Sequence, residues 1–226
     1  MSDEENMADV VDDFNPESDN SDTEELTAAE VIKLMEEAWT NEKFAPEILP
    51  HKIEIVECLL GQITSMEENL ESLESTDFTK SLYQMEVDRL RYLVSSYLRH
   101  RLEKIEIGCS GILKDEETRM EQEKDLYLTQ SELQFAKECK QAFEEHIENV
   151  LKFWPGLPPD EWKKEQINPN MYSFVFLKSK AEIEGIVIDD GNEEEGDLVD
   201  FKPGSQMIIS YNSVANLVKK GDVMLI

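Results

Sequence analysis

The sequence contains little that could support catalysis or metal binding. Its three cysteines, Cys58, Cys109 and Cys139, are far apart and form no CxxC pair, which argues against both a disulfide framework and a zinc site. The three histidines lie in separate segments, with no second histidine at a metal-ligand spacing. A glycine-rich phosphate loop, an HExxH motif and a GxSxG motif are all missing. We therefore predict no catalytic residue, no metal ion and no cofactor, and we expect that the protein is not an enzyme.

Basic residues are also scarce. The chain has 22 Lys and Arg against 51 Asp and Glu, which gives a formal net charge of −29. Because nucleic-acid binding needs a cationic surface that displaces counterions from phosphates, we expect little or no direct DNA binding by the chain alone. No apolar run approaches the roughly 18 residues of a membrane-spanning helix, and the acidic N-terminus lacks the apolar core of a signal peptide. We expect an intracellular protein with no membrane partner.

The negative charge is concentrated in two stretches. Residues 1–30 contain twelve acidic side chains and residues 182–200 contain nine, and neither stretch contains a basic one. Because residues 1–25 have too little apolar surface to offset the entropy lost on ordering, we predict a disordered acidic tail there. A short apolar motif is embedded in this tail and consists of Asp9, Val10, Val11, Asp12, Asp13 and Phe14. The motif is either solvated like the rest of the tail or a linear motif that folds onto a partner's groove.

Residues 26–152 are predicted to form a helical domain. A Thr-x-x-Glu capping box at Thr27 marks the start of the first helix. Apolar residues spaced three and four apart predict a second helix over residues 53–73, with a heptad seam. Another capping box at Thr129 starts the last helix of this domain, which we predict to end at about Lys152.

A long third helix is predicted over residues 78–107, with Gly108 and Gly111 providing a break. Its apolar residues occupy several sides of the helix, so it is either the central helix of the bundle or also faces a second protein. Residues 112–124, beyond the break, are charged and only weakly patterned.

The third helix also carries the one concentration of basic residues in the sequence. It consists of Arg89, Arg91, Arg99, His100, Arg101 and Lys104, interleaved with Tyr92 and Tyr97. These side chains would either contact nucleic acid or pair with carboxylates of nearby helices or of a neighbouring subunit. The overall negative charge favours ion pairing, and arginine suits a protein interface because its planar guanidinium binds carboxylates through two hydrogen bonds.

The pattern changes at residue 153. Prolines between residues 153 and 170 cannot continue a helix, which predicts a linker. Alternating apolar residues then predict a small β-rich domain over residues 171–226. Its strands are expected at 171–177, 185–189, 198–201, 206–211 and 223–226, with an acidic loop at 190–197 and a short helix at 214–218. The sequence thus predicts an α+β fold, in which an N-terminal all-α helical bundle with long helices precedes a small β-rich C-terminal domain.

A series of short stretches, in one order, matches a known family. The stretches are Ala38–Glu47, Glu54–Cys58, Met66–Leu70, Gln84–Glu86, Arg89–Tyr92 and Ser95–Arg99, followed more loosely by Ser173–Leu177, Gly204-Ser205 and the terminal strand. Together they resemble the Sld-five type subunit (subunit four) of the eukaryotic GINS DNA replication complex. The similarity is close over about residues 26–105 and looser over 130–226, and its specificity comes from many matches in the same order.

The resemblance implies a heterotetramer of four related subunits, each with a helical domain and a small β domain. It also implies that this tetramer joins the MCM ring and its cell-division-cycle partner in the replicative CMG helicase, in the nucleus, with the ATPase motor in the MCM ring. Some relatives bind a replisome adaptor through a short acidic and apolar N-terminal motif, to which residues 9–14 are loosely similar.

We therefore predict a non-catalytic scaffold subunit that acts in initiation and elongation of DNA replication. Its expected partners are the three other GINS subunits, the MCM ring and its cell-division-cycle partner, and a replisome adaptor bound by the tail. The residues predicted to contact other subunits are Trp39, Phe44, Arg89, Arg91, Tyr92, Tyr97, Arg101, Phe174, Phe176, Leu225 and Ile226. The alternative is a free-standing acidic adaptor or chaperone that binds basic nuclear proteins through its tail.

Overall fold

The computed structural model describes residues 26–73, 78–153, 167–188 and 197–226. The helices there are α1 (Ala28–Phe44), α2 (Ile53–Ser72), α3 (Phe78–Glu121), α4 (Gln130–Leu151) and α5 (Tyr211–Lys220). The strands are β1 (Phe174–Ser179), β2 (Ile183–Ile188), β3 (Asp197–Phe201), β4 (Gln206–Ser210) and β5 (Val223–Leu225). The predicted fold class, a helical bundle followed by a small β-rich region, is confirmed. The N-terminal motif at 9–14, most of the predicted linker and all but the last residue of the acidic loop at 190–197 lie outside the described residues.

Both predicted capping boxes are confirmed. At the start of α1, the backbone N–H of Thr27 donates to the Glu30 carboxylate at 2.8 Å, and the Glu30 N–H donates to the Thr27 hydroxyl at 3.4 Å. At the start of α4, Thr129 and Glu132 make the same reciprocal pair at 2.8 and 3.3 Å. Two otherwise unpaired N–H groups at each helix start are satisfied in this way.

The third helix is longer than predicted. It continues past residue 107 to Glu121, and Gly108 kinks it with φ −111° and ψ 18° instead of ending it. The predicted break at Gly108 is thus present as a kink, but the chain is helical again beyond it because Cys109, Leu113 and Glu116 are buried in this second half, where α3 packs against α4. Tertiary packing therefore outweighs the weak local pattern of residues 112–124.

Helix α3 is the central helix of the bundle, which is one of the two explanations that the sequence offered for its many apolar sides. Its first half packs against α1 and α2 around a core that includes Met35, Leu59 and Leu90. Its second half packs against α4 around Ile105 and Ala136. In the described part of the chain, no helix is both long and apolar enough to cross a membrane.

The β-rich region contains a three-stranded antiparallel sheet in the order β4-β1-β5 and a separate β2–β3 hairpin. Strand β1 begins at Phe174, three residues later than predicted, and α5 spans Tyr211–Lys220 instead of residues 214–218. Helix α5 ends at Gly221, whose φ of 88° gives the left-handed cap that glycine favours. One face of the sheet is buried with α5, and its core includes Leu177 and Leu225.

The core of the β-rich region also contains two residues from the N-terminal half of the chain. Ala45 and Leu49, which follow α1, belong to the same buried cluster as the sheet and α5. A β module of this size has a small core and is only marginally stable by itself. The segment between α1 and α2 adds apolar surface to this core.

Candidate subunit interface

A buried charge cluster, made of Glu42, Arg101, Lys104 and Glu132, organises the centre of the chain. Arg101 is 1% exposed, yet each of its five N–H donors has an acceptor. Nε and Nη2 donate to the two Glu132 oxygens at 2.6 and 3.1 Å, and Nη1 donates to Glu42 at 3.2 Å. The backbone carbonyls of Leu49 and Tyr127 each accept another bond at 2.7 Å. The guanidinium is therefore fully satisfied in the interior.

Lys104 completes this cluster one turn further along α3. Its ammonium group donates to the Glu42 carboxylate at 2.7 Å and to the backbone carbonyls of Glu42 and Glu47 at 2.5 and 2.8 Å. Burial lowers the pKa of Lys104, while the neighbouring Glu42 charge opposes that shift. Two cations face two carboxylates, so the cluster carries no formal net charge when all four groups are ionised.

The Glu132 carboxylate is held in its ionised form by its hydrogen bonds. Burial alone would raise its pKa, but the hydrogen bonds and charge of Arg101, together with the bonds from Thr129, outweigh burial and lower it. The same carboxylate caps α4 and pairs with α3, so it connects the two helices.

Tyr97, Arg101 and Lys104 form one row on α3 that binds the segment between α1 and α2. The Tyr97 hydroxyl accepts a hydrogen bond from the Lys52 backbone N–H at 3.1 Å, while Arg101 and Lys104 bind carbonyls of residues 49 and 47. Burial raises the pKa of Tyr97 to about 12. The expectation that Tyr97 and Arg101 contact another subunit is corrected here: both side chains lie inside the chain, where they fix this segment.

Two of the basic residues predicted for an interface lie at the surface and are paired within the chain. Arg89 donates to the Glu86 carboxylate at 2.7 and 2.9 Å and to Glu36 at 2.6 Å. Arg91 pairs with Glu67 on the acidic second helix. The interpretation of these arginines as ion-pair partners is confirmed, and they link α3 to α1 and α2.

The first two turns of α3, which we name the α3 tip (residues 78–85), expose four large apolar side chains, three of them on one side of the helix. The exposed fractions are 74% for Phe78, 50% for Leu82, 50% for Tyr83 and 69% for Met85. The interface residues predicted from the sequence do not include the tip, although Leu82 and Met85 are large apolar residues within it. The available signal was their spacing with Tyr92, which places all three on the side of α3 opposite the buried Val94.

Further along the same side of the bundle, α1 contributes aromatic residues. The Trp39 and Tyr92 rings meet edge to face with centroids 6.2 Å apart, and the Trp39 indole N–H donates to Ser96 at 2.9 Å. Lys43 lies 5.0 Å from the ring centroids of both Trp39 and Phe44. Tyr92 and Phe44 are exposed. Their side chains are therefore accessible to a partner in the free chain.

The outer face of the three-stranded sheet is apolar. Phe176 on β1 pairs with Ile208 on β4 in the antiparallel register, and Phe174 lies on the same face. All three are exposed, with Phe174 at 76% and Ile208 at 70%. The side chains of β1 thus alternate between this exposed face and the buried face.

The two C-terminal residues predicted for the interface lie in different environments. Leu225 is fully buried in the core of its own β-rich region, so its side chain does not reach a partner. Ile226 donates its backbone N–H to Phe176 at 2.9 Å and leaves part of its side chain exposed. Of the two residues, only Ile226 borders the outer face of the sheet.

In the described ranges, no group of three or more His, Cys, Asp or Glu side chains could hold a metal ion. The buried charged side chains are bound by oppositely charged side chains and by backbone carbonyl or N–H groups. Exposed large apolar side chains include Phe78, Leu82 and Met85 on α3, Phe44 on α1 and Phe174 and Ile208 on the sheet.

Comparison with known families agrees with this arrangement. Residues 26–151 match the family model described as the GINS complex protein helical bundle domain. Residues 169–226 match the model described as the DNA replication complex GINS protein SLD5 C-terminus. The chain belongs to the SLD5 family of GINS complex proteins. The resemblance found in the sequence is thereby confirmed.

Individual relatives of the SLD5 family match over nearly the whole chain. A human protein named DNA replication complex GINS protein SLD5 is 42% identical over 224 residues, which is 97% of this chain and all of the relative. An Arabidopsis thaliana protein of the same name is 31% identical over 219 residues, covering 92% of this chain and 96% of the relative. The chain is therefore an SLD5-type GINS complex subunit of DNA replication.

Proposed function

We propose that this chain is a non-catalytic scaffold subunit of a heterotetrameric GINS complex, which acts in the nucleus as part of the replicative CMG helicase. Its partners in this proposal are the three other GINS subunits and, through the assembled tetramer, the MCM ring and its cell-division-cycle partner. The proposed role covers both initiation and elongation of replication. The observation that carries the proposal is the α3 tip, an exposed apolar segment at the end of the central helix.

The α3 tip has the character of an unpartnered helix surface. Phe78, Leu82 and Met85 are spaced four and three residues apart, and Tyr92 continues the row after a further seven, as in a heptad seam. Each large apolar side chain that a partner covers contributes roughly 1.5–3 kcal/mol. A helix of another subunit, packed along this seam, would remove the apolar patch from water.

The seam continues into a polar section that suits the rim of a protein interface. Arg89 lies between Met85 and Tyr92 and is already paired with Glu86 and Glu36. These exposed pairs contribute little to stability and satisfy the arginine before any partner arrives. We infer that the apolar tip supplies most of the affinity and the paired arginines supply orientation.

The competing proposal of an acidic chaperone places partner affinity in the N-terminal tail. The tail lies outside the described residues, whereas the exposed apolar surfaces belong to the folded domains. Truncation separates the two: a scaffold without residues 1–25 retains its GINS partners, whereas a chaperone without them loses its basic clients. A tail motif that binds a replisome adaptor is compatible with the scaffold proposal, and Phe14→Ala is its specific probe.

The α3 tip can be tested by co-expression of the chain with the three other GINS subunits. We expect Leu82→Glu combined with Met85→Glu to reduce recovery of all three partners in a pull-down, because two charges would enter an apolar interface. The matched control is Leu60→Glu on α2, a leucine with 46% exposure on a different surface. Equal recovery for the double variant and the control would contradict the assignment of the interface to the tip.

A further inference from the structure

Glu47 is bound at both of its ends by different parts of the chain. Its backbone carbonyl accepts a hydrogen bond from Lys104 on α3 at 2.8 Å. Its carboxylate accepts a hydrogen bond from the Tyr211 hydroxyl at 2.9 Å and pairs with Lys219 at 2.8 Å, both on α5. A single residue therefore connects the helical bundle to the β-rich region.

The segment that carries Glu47 cannot move freely relative to the bundle. Arg101, Lys104 and Tyr97 bind it at residues 49, 47 and 52, through groups that are buried or nearly so. Burial and the nearby Glu47 charge raise the pKa of Tyr211, which keeps its hydroxyl protonated and able to donate. The segment thus holds the Glu47 carboxylate in place as the acceptor, and the Tyr211 hydroxyl stays protonated as its donor.

Three further contacts surround this bridge. Ala45 and Leu49 enter the core of the β-rich region on either side of Glu47. The Asn41 side chain accepts a buried hydrogen bond from Leu225 on β5 at 2.8 Å. Lys219 also lies 5.7 Å from the ring centroid of Tyr127, in the turn before α4. The β-rich region is therefore docked on the bundle through apolar and polar contacts.

We propose that Glu47 is a positioning residue that clamps the β-rich domain to the helical domain in one orientation. The clamp makes the outer face of the sheet and the exposed face of the bundle parts of one rigid body. The use of those surfaces by partners rests on the proposed function, but the clamp itself is a property of the chain alone. Its test is therefore independent of whether any GINS subunit binds.

The test is backbone hydrogen exchange on the full chain, with the same purified form used for every variant. In Glu47→Ala, we expect the Leu225 amide, which donates to Asn41, to exchange about tenfold faster, because docking has lost a charge-assisted hydrogen bond and an ion pair. The amides of the β1–β4 ladder should keep their protection, since the sheet itself is intact. Tyr211→Phe keeps the buried ring and removes only the hydroxyl, so it should shift Leu225 in the same direction by a smaller factor.

The matched control is Glu37→Ala. Glu37 pairs with Lys180 and also joins α1 to the β-rich region, but it makes one ion pair, to a lysine with 41% exposure, and no bond to a buried hydroxyl, so its loss should change Leu225 exchange much less than Glu47→Ala does. Unchanged Leu225 exchange in both Glu47→Ala and Tyr211→Phe would overturn the clamp. Equal loss of protection in the β1–β4 ladder would overturn it as well, because Glu47 would then stabilise the fold of the β-rich region and not its placement.

Discussion

The side-chain carbonyl of Asn41 accepts a hydrogen bond from the backbone N–H of Leu225 at 2.8 Å, which joins the first helix to the last strand across 184 residues of sequence. Both residues are buried, so water cannot replace either partner. The bond satisfies an edge-strand N–H that the sheet itself leaves open. It shows that the C-terminal strand depends on the helical bundle for its last polar contact.

Replacing Asn41 with leucine should destabilise the chain. The Leu225 N–H would remain buried without an acceptor, which costs about 1–3 kcal/mol. The free energy of unfolding from chemical denaturation measures this loss. Asn69→Leu on α2 is the control because Asn69 is exposed. A change in Asn41→Leu no larger than in Asn69→Leu would show that the bond contributes nothing.

Removing Leu225 and Ile226 together should weaken the β-rich region far more than removing Ile226 alone. Leu225 is fully buried, and loss of its side chain from the core costs roughly 1.5–3 kcal/mol. Ile226 is partly exposed and contributes mainly its N–H bond to Phe176. Thermal unfolding of the two truncated chains gives the comparison, and identical melting temperatures would refute this prediction.

Arg101→Ala should cost about 3–5 kcal/mol because Glu132 would be left buried without its cation and Glu42 would keep only Lys104. Arg89→Ala should cost at most about 1 kcal/mol, since Arg89 and its two partners are well exposed. Urea unfolding of both variants measures the difference. Similar losses for the two arginines would mean that burial of the Arg101 cluster does not determine its energetic role.

Tyrosine ionisation, followed by absorbance, should detect the raised pKa values of the Tyr97 and Tyr211 hydroxyls. Burial raises the pKa of Tyr97 to about 12, and burial together with Glu47 raises that of Tyr211. An unfolded tyrosine ionises near pH 10, so stability from these groups is fully present below about pH 10 and is lost as pH rises towards 12. Absorbance at 295 nm should show a late-titrating component in the native chain, which decreases in Tyr97→Phe and in Tyr211→Phe. If each substitution lowered the total amplitude but left the late-titrating component unchanged, this prediction would be contradicted.

The parts of the fold that depend on local sequence were predictable. The capping boxes at Thr27 and Thr129 and the alternation in β1 involve residues within a few positions of each other, so they can be read without knowledge of the tertiary structure. The family resemblance was likewise visible in the sequence, because many short stretches match the family in the same order along the chain. It depends on many matches, none of which is diagnostic alone.

The parts that depend on distant contacts were not predictable. Arg101 and Arg89 are the same residue type on one helix, and nothing local distinguishes the buried one from the exposed one. The burial of Arg101 depends on Glu42 and Glu132, which lie 59 and 31 residues away. The extension of α3 past Gly108 depends in the same way on packing against α4.

The most direct test of the scaffold account is the mass and composition of the particle that the chain forms with the three other GINS subunits. After co-expression and purification through a tag on this chain, native mass spectrometry should show one particle with one copy of each subunit. Expressed alone, the chain should self-associate, because the α3 tip and the outer face of the sheet are uncovered. A stable monomer at micromolar concentration that recovers no GINS subunit in stoichiometric amount would contradict the account.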